Sequence, residues 1–473
     1  MDSLGILIDG EWKKTGERME VRSPYDGKPV GETCRASAED MQRAIRAAER
    51  AFEKTRNLPT YERAGILERA AAAIGREREN LARSIAQEAG KPIKTARVEA
   101  ERAQLTFTDA AEETKRLNGE WIPLDRVEAA RGRWGLVRRF PLGPIAAISP
   151  FNFPLNLVAH KLAPALGTGN SVVLKPASQT PLTALRLARI LVEAGVPAGA
   201  LNVLPCSPQV ADPLCTDDRF KLLTFTGSPA VGWDLKKRAG KKRLTLELGG
   251  NAGVIVHKDA DIKLAAERCA FGGFSYAGQS CISVQRILVQ KQVFPRFLDE
   301  FLPRVESLKV GDPLDESTDI GPMIHEKEAQ RVEEWVAEAR KAGARVVLGG
   351  ERRGAVVPPT VLTDVKRDMK VSCLEVFAPL VTVMPYEEFA DALAEVNDSS
   401  YGLQAGVFTR DASLIFRAYE ALEVGGVVAG DVPTFRIDHM PYGGVKDSGQ
   451  GREGARYAME EMTERKLLVV CPL

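Results

Sequence analysis

Apolar residues in the first third of the chain recur with the period of an α-helix. From Met41 to Phe52 they follow helical spacing, after a serine and an aspartate, Ser37 and Asp40, that are placed as in a capping box. Segments rich in Ala, Glu and Arg continue this pattern over residues 61–117. The pattern predicts a first third that is helical and highly charged.

Beyond Leu142 short β-rich runs alternate with helical segments. One helix is clearly delimited, because Thr180 and Pro181 open it and Gly195 closes it. Strands followed by helices in this order predict an α/β protein with parallel sheets covered by helices on both faces. The predicted strands are residues 145–148, 172–174, 202–204, 222–225, 244–248, 254–256, 287–289, 346–348, 380–383 and 406–408.

One stretch does not fit this alternation. Trp121–Arg139 lies between the helical part and the first β-rich run, and Lys466–Val470 is a second isolated β-rich run near the end of the chain. We expect the two segments to form a small separate sheet.

Composition narrows the class of protein. With 473 residues, 44% of them hydrophobic, the chain is long enough for two or three domains or one large α/β enzyme. A formal net charge of +1 argues against nucleic acid or an anionic membrane as the main partner. The 7 cysteines lack paired spacing, which favours a reducing compartment over a disulfide framework.

The sequence pattern favours neither a targeting segment nor a metal site. The N-terminal run has no basic segment followed by an apolar one, and no apolar stretch approaches the length of a membrane span. No zinc-type spacing is present, and the 4 histidines are far apart in sequence. We therefore expect a cytoplasmic protein without a bound metal.

Cys281 is the candidate nucleophile. It follows Ala277–Ser280, a run of mostly small residues typical of a turn that exposes a side chain. A thiol reacts as a thiolate and needs a base or donors nearby. Glu247 ends an apolar strand before two glycines, and Asn152 lies in a turn bracketed by prolines. The alternative interpretations are a small buried Cys, a salt-bridged Glu and a turn-forming Asn.

Two further strand ends suggest a nucleotide site. Lys175 ends a buried strand, and ligands of open α/β sheets gather at the carboxyl ends of strands. The run from Gly227 to Gly232 follows another strand and opens a helix, whose free N–H groups suit a pyrophosphate. Its glycine spacing is not the Gly-x-Gly-x-x-Gly pattern. A surface lysine and an ordinary glycine turn remain alternatives.

Seven short motifs stand in the order and spacing of the aldehyde dehydrogenase superfamily, which the chain resembles over nearly its whole length. The motifs are PFNFP at 150–154, LKPA at 174–177, FTGS at 225–228, LELGGN at 246–251, GQSC at 278–281, EVFAP at 375–379 and PYGGVKDSG at 441–449. This resemblance implies the aldehyde dehydrogenase fold, with a Rossmann-like cofactor domain, an α/β catalytic domain and a small oligomerisation sheet. It also implies a homodimer or homotetramer.

The resemblance implies a division of the chain into domains. Residues 1–120 and 140–248 correspond to the cofactor-binding domain, and residues 249–440 to the catalytic domain. Residues 121–139 and 455–473 correspond to the oligomerisation segment.

The resemblance also implies the reaction, which is oxidation of an aldehyde to its acid with NAD+ or NADP+. Cys281 matches the nucleophile and Glu247 the general base. Asn152, together with the backbone N–H of Cys281, matches the donor to the oxyanion. Such a preorganised donor typically lowers the barrier by about 3 kcal/mol.

By the same resemblance, five positions match residues that contact the pyrophosphate or the nicotinamide end of the dinucleotide. Gly227 and Ser228 match the pyrophosphate turn, which continues to Gly232. Glu375 matches the acid that binds the nicotinamide ribose, and Phe377 would pack beside the nicotinamide ring.

At the adenosine ribose the chain departs from relatives that prefer NAD. Lys175 matches the ribose-binding lysine, but Ser178 stands where those relatives often carry Glu. A carboxylate there would repel a 2′-phosphate, whereas a hydroxyl beside a lysine accepts one. We expect dual or NADP-leaning use.

Two other departures concern small residues. Ala378 replaces the usual glycine of the EVFAP motif, which should be tolerated unless its φ is positive. Gly430 stands where many relatives have Asn, in the loop that caps the substrate tunnel. The sequence does not determine what this substitution does, although a glycine could loosen the loop.

Two arginines suggest the substrate class. By resemblance, Arg436 and Arg102 line the tunnel entrance, and together they would bind a carboxylate, phosphate or phosphonate. We expect a short aldehyde with a polar or anionic far end, such as a semialdehyde, a lactaldehyde or a phosphorylated or phosphonylated aldehyde. The equally open alternative is that both arginines form structural ion pairs.

Two other functions compete with this one. A CoA-acylating aldehyde dehydrogenase shares the fold and the thiol but needs no hydrolytic base, so Glu247 argues against it. A catalytically inactive structural or binding homologue is the second, because motifs do not prove turnover.

Overall fold

The structure, a computed structural model, describes residues 4–471. The strands are β1 (Ile6–Ile8), β2 (Glu11–Lys13), β3 (Arg18–Arg22), β4 (Pro29–Cys34), β5 (Glu120–Pro123), β6 (Trp134–Pro141), β7 (Ile145–Ile148), β8 (Val172–Lys175), β9 (Leu201–Val203), β10 (Leu222–Thr226), β11 (Arg243–Glu247), β12 (Ala252–Val256), β13 (Val284–Gln290), β14 (Arg345–Leu348), β15 (Thr360–Thr363), β16 (Leu380–Tyr386), β17 (Tyr401–Gly402), β18 (Gln404–Phe408), β19 (Gly426–Ala429), β20 (Val445–Lys446), β21 (Gly449–Gln450) and β22 (Thr463–Val470). The helices are α1 (Ala38–Thr55), α2 (Thr60–Arg76), α3 (Arg78–Ala89), α4 (Ile93–Arg116), α5 (Asn156–Gly167), α6 (Pro181–Glu193), α7 (Pro208–Thr216), α8 (Pro229–Arg238), α9 (Ile262–Phe274), α10 (Phe294–Glu306), α11 (Glu326–Lys341), α12 (Lys370–Cys373), α13 (Phe389–Asn397), α14 (Ala412–Ala421) and α15 (Ala455–Glu461).

The first large sheet has the strand order β2-β1-β9-β8-β7-β10-β11-β21. Its strands from β9 to β11 are parallel, and β1 and β21 add antiparallel edges. Alternate residues of β7 point to opposite faces, so that Ile145 and Ala147 pack with helices α2–α6, whereas Ala146 packs with α1, α7 and α8. Helices therefore cover both faces, as the alternation of strands and helices predicts.

The second large sheet has the order β14-β15-β16-β13-β12-β18-β19 and is parallel except for β14. Its core contains Phe297 and Phe301 of α10, whose rings stack at 5.3 Å between centroids. The ten predicted strands all lie in these two sheets, and the helix predicted after Thr180 is α6. Sequence reasoning did not include β15 and β19, which also belong to this sheet.

A separate antiparallel sheet has the order β22-β6-β5. It is formed by the segments around Trp121–Arg139 and Lys466–Val470, as the sequence predicts. Residues 1–3 and 472–473, which belong to the predicted domain ranges, lie outside the described residues.

The prediction of a purely helical first third was wrong. Before Ala36 the chain forms β1 to β4. Strands β2 and β3 consist largely of exposed polar residues, so that they lack the continuous apolar run that marks buried strands such as β7 and β8. The following helices α1–α4 agree with the predicted periodicity.

The catalytic candidates lie where the two large sheets meet. Glu247 ends β11 at the carboxyl edge of the first sheet, and Asn152 follows β7 at the same edge. Cys281 and Glu375 precede β13 and β16, at the amino edge of the second sheet. The meeting of these edges brings distant segments of the chain to one cleft.

The helix caps give a stability prediction. Ser37 Oγ accepts the N–H of Asp40 at 3.1 Å and the Asp40 carboxylate accepts the N–H of Ser37 at 3.1 Å, whereas Ser228 at the start of α8 makes no side-chain cap bond. Ser37→Ala should lower the free energy of unfolding by about 1 kcal/mol. Ser228→Ala should change it by about 0.5 kcal/mol or less. Urea unfolding at one protein concentration measures both, and equal losses would contradict this account of the caps.

Candidate active site

The thiol candidate sits beyond an unusual turn. Tyr276 and Ala277 have left-handed backbone angles, with φ of 51° and 52°, and Gly278 continues the turn at φ 66°. Non-glycine residues adopt this conformation at a cost, and such strain concentrates at functional sites. The Tyr276 hydroxyl donates to the carbonyl of Ala89 at 2.9 Å, which anchors the turn. Cys281 follows the turn and is half-buried.

The Cys281 sulfur lies 2.9 Å from the hydroxyl of Tyr442. Apolar side chains of Ile282 and Leu403 surround the pair. Burial raises the pKa of the Cys281 thiol to about 12, although the Tyr442 hydroxyl and the charge of Arg436 oppose that shift. The sulfur therefore needs its neighbours to become a thiolate at neutral pH.

Asn152 is tied to the loop that carries the thiol. Its side-chain amide donates to the carbonyl of Gln279 at 3.0 Å, and its carbonyl oxygen is buried without a partner. The amide has a second N–H, which this bond leaves unused. Gln279 is fixed in turn, because its side-chain oxygen accepts the N–H of Ile324 at 2.9 Å. A preorganised donor thus lies beside the nucleophile's loop.

Glu247 is buried, and neither of its carboxylate oxygens has a hydrogen-bond partner. Burial raises its pKa well above the ordinary value, and the charge of Glu453 adds to the shift. A carboxylate in such surroundings is a stronger base than one in water. It retains two vacant acceptors with which to bind and deprotonate a water molecule.

Charges that the sequence reasoning missed lie next to Glu247. Lys161 is fully buried in α5 and donates to the hydroxyls of Thr224 and Thr226 at 3.1 and 2.7 Å. Its ammonium lies 3.5 Å from a carboxylate oxygen of Glu453. Burial alone would raise the pKa of Glu453, but Lys161 and Arg436 lower it to about 2. A signal was available, because a lysine within an apolar helix needs a buried partner.

The residues expected at the adenosine end lie at the carboxyl end of β8. The Lys175 ammonium bonds only weakly to the carbonyl of Pro176, at 3.3 Å, and burial lowers its pKa. Ser178 is exposed three residues further on. Residues 171–180 include no Asp or Glu, so that this strand end suits a phosphate as well as a ribose hydroxyl.

The candidate pyrophosphate turn opens α8. The N–H of Gly227 donates to the carbonyl of Glu247 at 3.1 Å, which joins this turn to the base. The Ser228 hydroxyl makes no cap bond. A Cβ on Gly232 would lie 2.4 Å from the Leu248 side chain, so that glycine allows the helix to pack closely on the strand. These features suit a helix N-terminus that binds a pyrophosphate.

Glu375 lies on the loop before β16. One carboxylate oxygen accepts the N–H of Gly250 at 2.8 Å, and burial raises its pKa to about 7. The left-handed residue of this loop is Phe377, with φ of 52°, and its ring makes an edge contact with Phe151 at 6.0 Å. Ala378 is not among the residues of positive φ, which explains why an alanine is tolerated there.

Gln285 holds this loop in place and was not singled out from the sequence. Its amide donates to the carbonyls of Val371 and Leu374 at 3.1 and 2.7 Å, and it accepts the N–H of Val376 at 3.0 Å. Three bonds from one side chain fix the backbone on both sides of Glu375. No local pattern marks this role, because its partners lie about 90 residues further along the chain.

The two arginines are both paired within the protein. Arg102 donates to both carboxylate oxygens of Asp438, at 3.1 and 2.7 Å. Arg436 donates to Glu453 at 2.9 Å and stacks on the Tyr442 ring at 3.7 Å. The Arg436 Nε is buried without a hydrogen-bond partner. Both side chains thus make structural ion pairs, and Arg436 keeps an unused donor.

Gly430 has a φ of 77° and open space beyond its Cα. Glycine and asparagine are the residues that adopt this conformation most readily. Glycine in place of asparagine at position 430 is therefore compatible with the same backbone conformation, which the sequence alone did not reveal.

Within residues 4–471, no group of three or more His, Cys, Asp or Glu side chains is arranged to hold a metal ion. In the same part of the chain, no helix has both the length and the apolar character that crossing a membrane requires.

Comparisons with known proteins agree with this geometry. A model of the aldehyde dehydrogenase family matches residues 12–468. The 3-sulfolactaldehyde dehydrogenase of Priestia aryabhattai is 46% identical over 467 residues, which cover 98% of this chain and 98% of the relative.

Solved structures give the same result. Aldehyde dehydrogenase 21 from Physcomitrella patens, in complex with the reaction product succinate, superposes with a TM-score of 0.97 at 43% identity, covering 99% of this chain and 98% of its own. Glyceraldehyde-3-phosphate dehydrogenase from Methanocaldococcus jannaschii, complexed with NADP, superposes with a TM-score of 0.92 at 42% identity. The match covers 96% of this chain and 98% of that structure's chain. The architecture is thus the aldehyde dehydrogenase fold, and the chain belongs to the aldehyde dehydrogenase family.

Proposed function

We propose that this protein oxidises a short aldehyde with a polar or anionic far end to the carboxylic acid, with NAD+ or NADP+ as oxidant. The balance is one aldehyde, one oxidised cofactor and one water giving the carboxylate, the reduced cofactor and two protons. The observation that carries the proposal is Glu247, a buried carboxylate with two vacant acceptors in the cleft that also contains the Cys281 loop.

Cys281 begins the reaction by attacking the aldehyde carbon. The sulfur forms a bond to carbon, and the carbonyl π electrons move to oxygen, which becomes an oxyanion. The unused N–H of Asn152 and the backbone N–H of Cys281 are the donors for that oxygen. Because the Asn152 amide is already fixed on Gln279, it needs little reorganisation when charge develops.

Three segments would hold the cofactor. Lys175 and Ser178 meet the adenosine ribose, the turn that begins at Gly227 and Ser228 meets the pyrophosphate, and Glu375 binds the nicotinamide ribose. When bound there, the dinucleotide would supply the acceptor for the hydride lost from the substrate carbon. That loss turns the adduct on Cys281 into a thioester.

Glu247 then supports hydrolysis of the thioester. It accepts a proton from a water molecule as the water oxygen attacks the carbonyl carbon, and the carbon–sulfur bond breaks to release the acid. The adjacent Lys161 and Glu453 lie 3.5 Å apart, and their charges shift the pKa of Glu247 in opposite directions.

The first prediction separates the two half-reactions. Glu247→Gln should lower the steady-state rate by about 10²- to 10⁴-fold but leave a rapid burst of about one reduced cofactor per subunit, because only hydrolysis needs the base. In the unmodified enzyme, hydrolysis should rise with pH through a midpoint well above the ordinary pKa of Glu, since burial raises the pKa of Glu247. Stopped-flow absorbance of the reduced cofactor measures both.

The exposed Glu334 offers the matched control, because Glu334→Gln should change neither quantity. Loss of the burst itself in the Glu247→Gln variant would contradict the assigned role. Formation of acyl-CoA rather than acid, when CoA is supplied, would favour a CoA-acylating enzyme. Absence of any aldehyde-dependent reduction would favour an inactive homologue.

The second prediction concerns the cofactor. Ser178 is exposed beside Lys175, and a relative of similar fold was solved with NADP, which supports NADP use. Ser178→Glu should lower kcat/KM for NADP+ by about tenfold or more and leave that for NAD+ nearly unchanged, because the new carboxylate repels the 2′-phosphate. A strong preference of the unmodified enzyme for NAD+ would contradict the proposal.

The far end of the substrate would meet Arg102 and Arg436. Arg102 uses two of its five N–H donors on Asp438, and Arg436 has a buried donor without a partner. Relatives named for sulfolactaldehyde and glyceraldehyde-3-phosphate, and a structure with succinate, involve small anionic compounds. These facts support an anionic far end.

The third prediction tests this anion site. Arg102→Ala should raise KM for succinate semialdehyde about tenfold or more, because a charged hydrogen bond is lost, and leave KM for butanal nearly unchanged. Arg97→Ala on the same helix is the control, since Arg97 pairs with Glu79 and Glu316 at the surface. Equal effects on the two aldehydes would remove Arg102 from the substrate site. Arg436 is a less specific probe, because it also contacts Tyr442 and Glu453.

We also propose a cytoplasmic homodimer or homotetramer. Leu467, Leu468 and Val469 of β22 are 46–56% exposed on an edge strand of the three-stranded sheet, an apolar surface that suits a second subunit. The unpaired state of the cysteines in residues 4–471 supports a reducing compartment.

A further inference from the structure

The hydroxyl of Tyr442 touches the sulfur that the proposed reaction uses. Tyr442 is buried, at 2% exposure, and its oxygen lies 2.9 Å from Cys281 Sγ. None of the steps proposed for the reaction uses this hydroxyl. A buried polar group that contacts a reacting atom is a candidate for a role in the reaction.

We propose that Tyr442 is a further catalytic residue, whose hydroxyl donates a hydrogen bond to the Cys281 thiolate and favours the ionised sulfur that attacks the aldehyde. This proposal rests on the proposed function, in which Cys281 is the nucleophile. On ionisation the S–H bond breaks, its electron pair stays on sulfur and the proton passes to solvent.

The direction of the hydrogen bond follows from the chemistry of the two groups. A neutral thiol and a phenol can each donate to the other, but a thiolate has no proton and only accepts. Tyr442 keeps its proton at neutral pH, because burial raises its pKa well above the ordinary value. The hydroxyl is thus a donor whenever Cys281 is ionised.

Tyr442 is held so that its hydroxyl cannot easily turn away. Its backbone N–H donates to the carbonyl of Glu453 at 3.1 Å, and the Glu453 N–H donates back at 2.7 Å. The guanidinium of Arg436 stacks on the ring at 3.7 Å and is itself bonded to Glu453 at 2.9 Å. A donor fixed in this way stabilises charge without reorganisation.

The charges around Cys281 explain why such a donor is needed. Burial raises the pKa of the thiol, and the carboxylates of Glu375 and Glu247 raise it further. Tyr442 and Arg436 act in the opposite direction. Of these two groups, the hydroxyl is in direct contact with the sulfur. The Arg436 guanidinium contacts the face of the Tyr442 ring and bonds to Glu453.

The test compares Tyr442→Phe, which keeps the ring and its stack, with Tyr386→Phe, which removes a hydroxyl bonded to His257 at 2.9 Å elsewhere. The rate of alkylation by iodoacetamide is measured against pH without substrate, and the modified cysteine is identified by peptide mass spectrometry. Tyr442→Phe should move the midpoint for Cys281 upward by about one pH unit, so that alkylation below it slows about tenfold. Tyr386→Phe should follow the unmodified enzyme.

NADP+ affinity, measured by fluorescence on the same samples, shows whether each variant keeps its fold. An upward shift confined to Tyr442→Phe, with unchanged affinity, supports the proposal. If Cys281 is alkylated with the same midpoint in both variants, the proposal is overturned, while the proposed function stands. If Cys281 of the unmodified enzyme does not react at any pH, the proposed function fails and this proposal fails with it.

Discussion

The burial of Glu247 without a hydrogen-bond partner is the constraint on which the site depends. A carboxylate removed from water is costly unless charges compensate it. Lys161 and Arg436 supply positive charge close to it, and Glu453 binds both of these residues. The protein thus maintains a base of raised pKa without using up its acceptors, which remain available for water.

The same cluster connects the base to the nucleophile. Arg436 bonds to Glu453 and stacks on Tyr442, and the Tyr442 hydroxyl contacts the Cys281 sulfur. Charge compensation around Glu247 and the position of the thiol are therefore set by shared side chains. We expect changes at Arg436 or Glu453 to affect both half-reactions, and a change at Ser178 to affect cofactor binding alone.

Much of the fold followed from the sequence, because buried strands such as β7, β8 and β12 are apolar runs that alternate with helices. Cys281, Glu247 and Asn152 were identified as candidates from turns and strand ends, and the structure brings their segments to one cleft. Strands β1 to β4 were missed, and β2 and β3 among them are rich in exposed polar residues.

What remained hidden depends on contacts between distant segments. Glu453 contacts both Lys161 and Tyr442. Lys161 and Glu453 are 292 residues apart in the sequence, from 161 to 453, so that no local pattern predicts their contact. Gln285 supports the Glu375 loop from another strand for the same reason. The geometry at Gly430 and Phe377 needed backbone angles, which residue type only suggests.

The most direct test of the central claim is a rapid acid quench during turnover, followed by mass spectrometry of the peptide that contains Cys281. The account predicts that this peptide gains the mass of the substrate's acyl group only when aldehyde and oxidised cofactor are both present. Acylation of a different residue would contradict the account. Turnover without an adduct on any peptide, even in the Glu247→Gln variant in which hydrolysis is slowed, would contradict it as well.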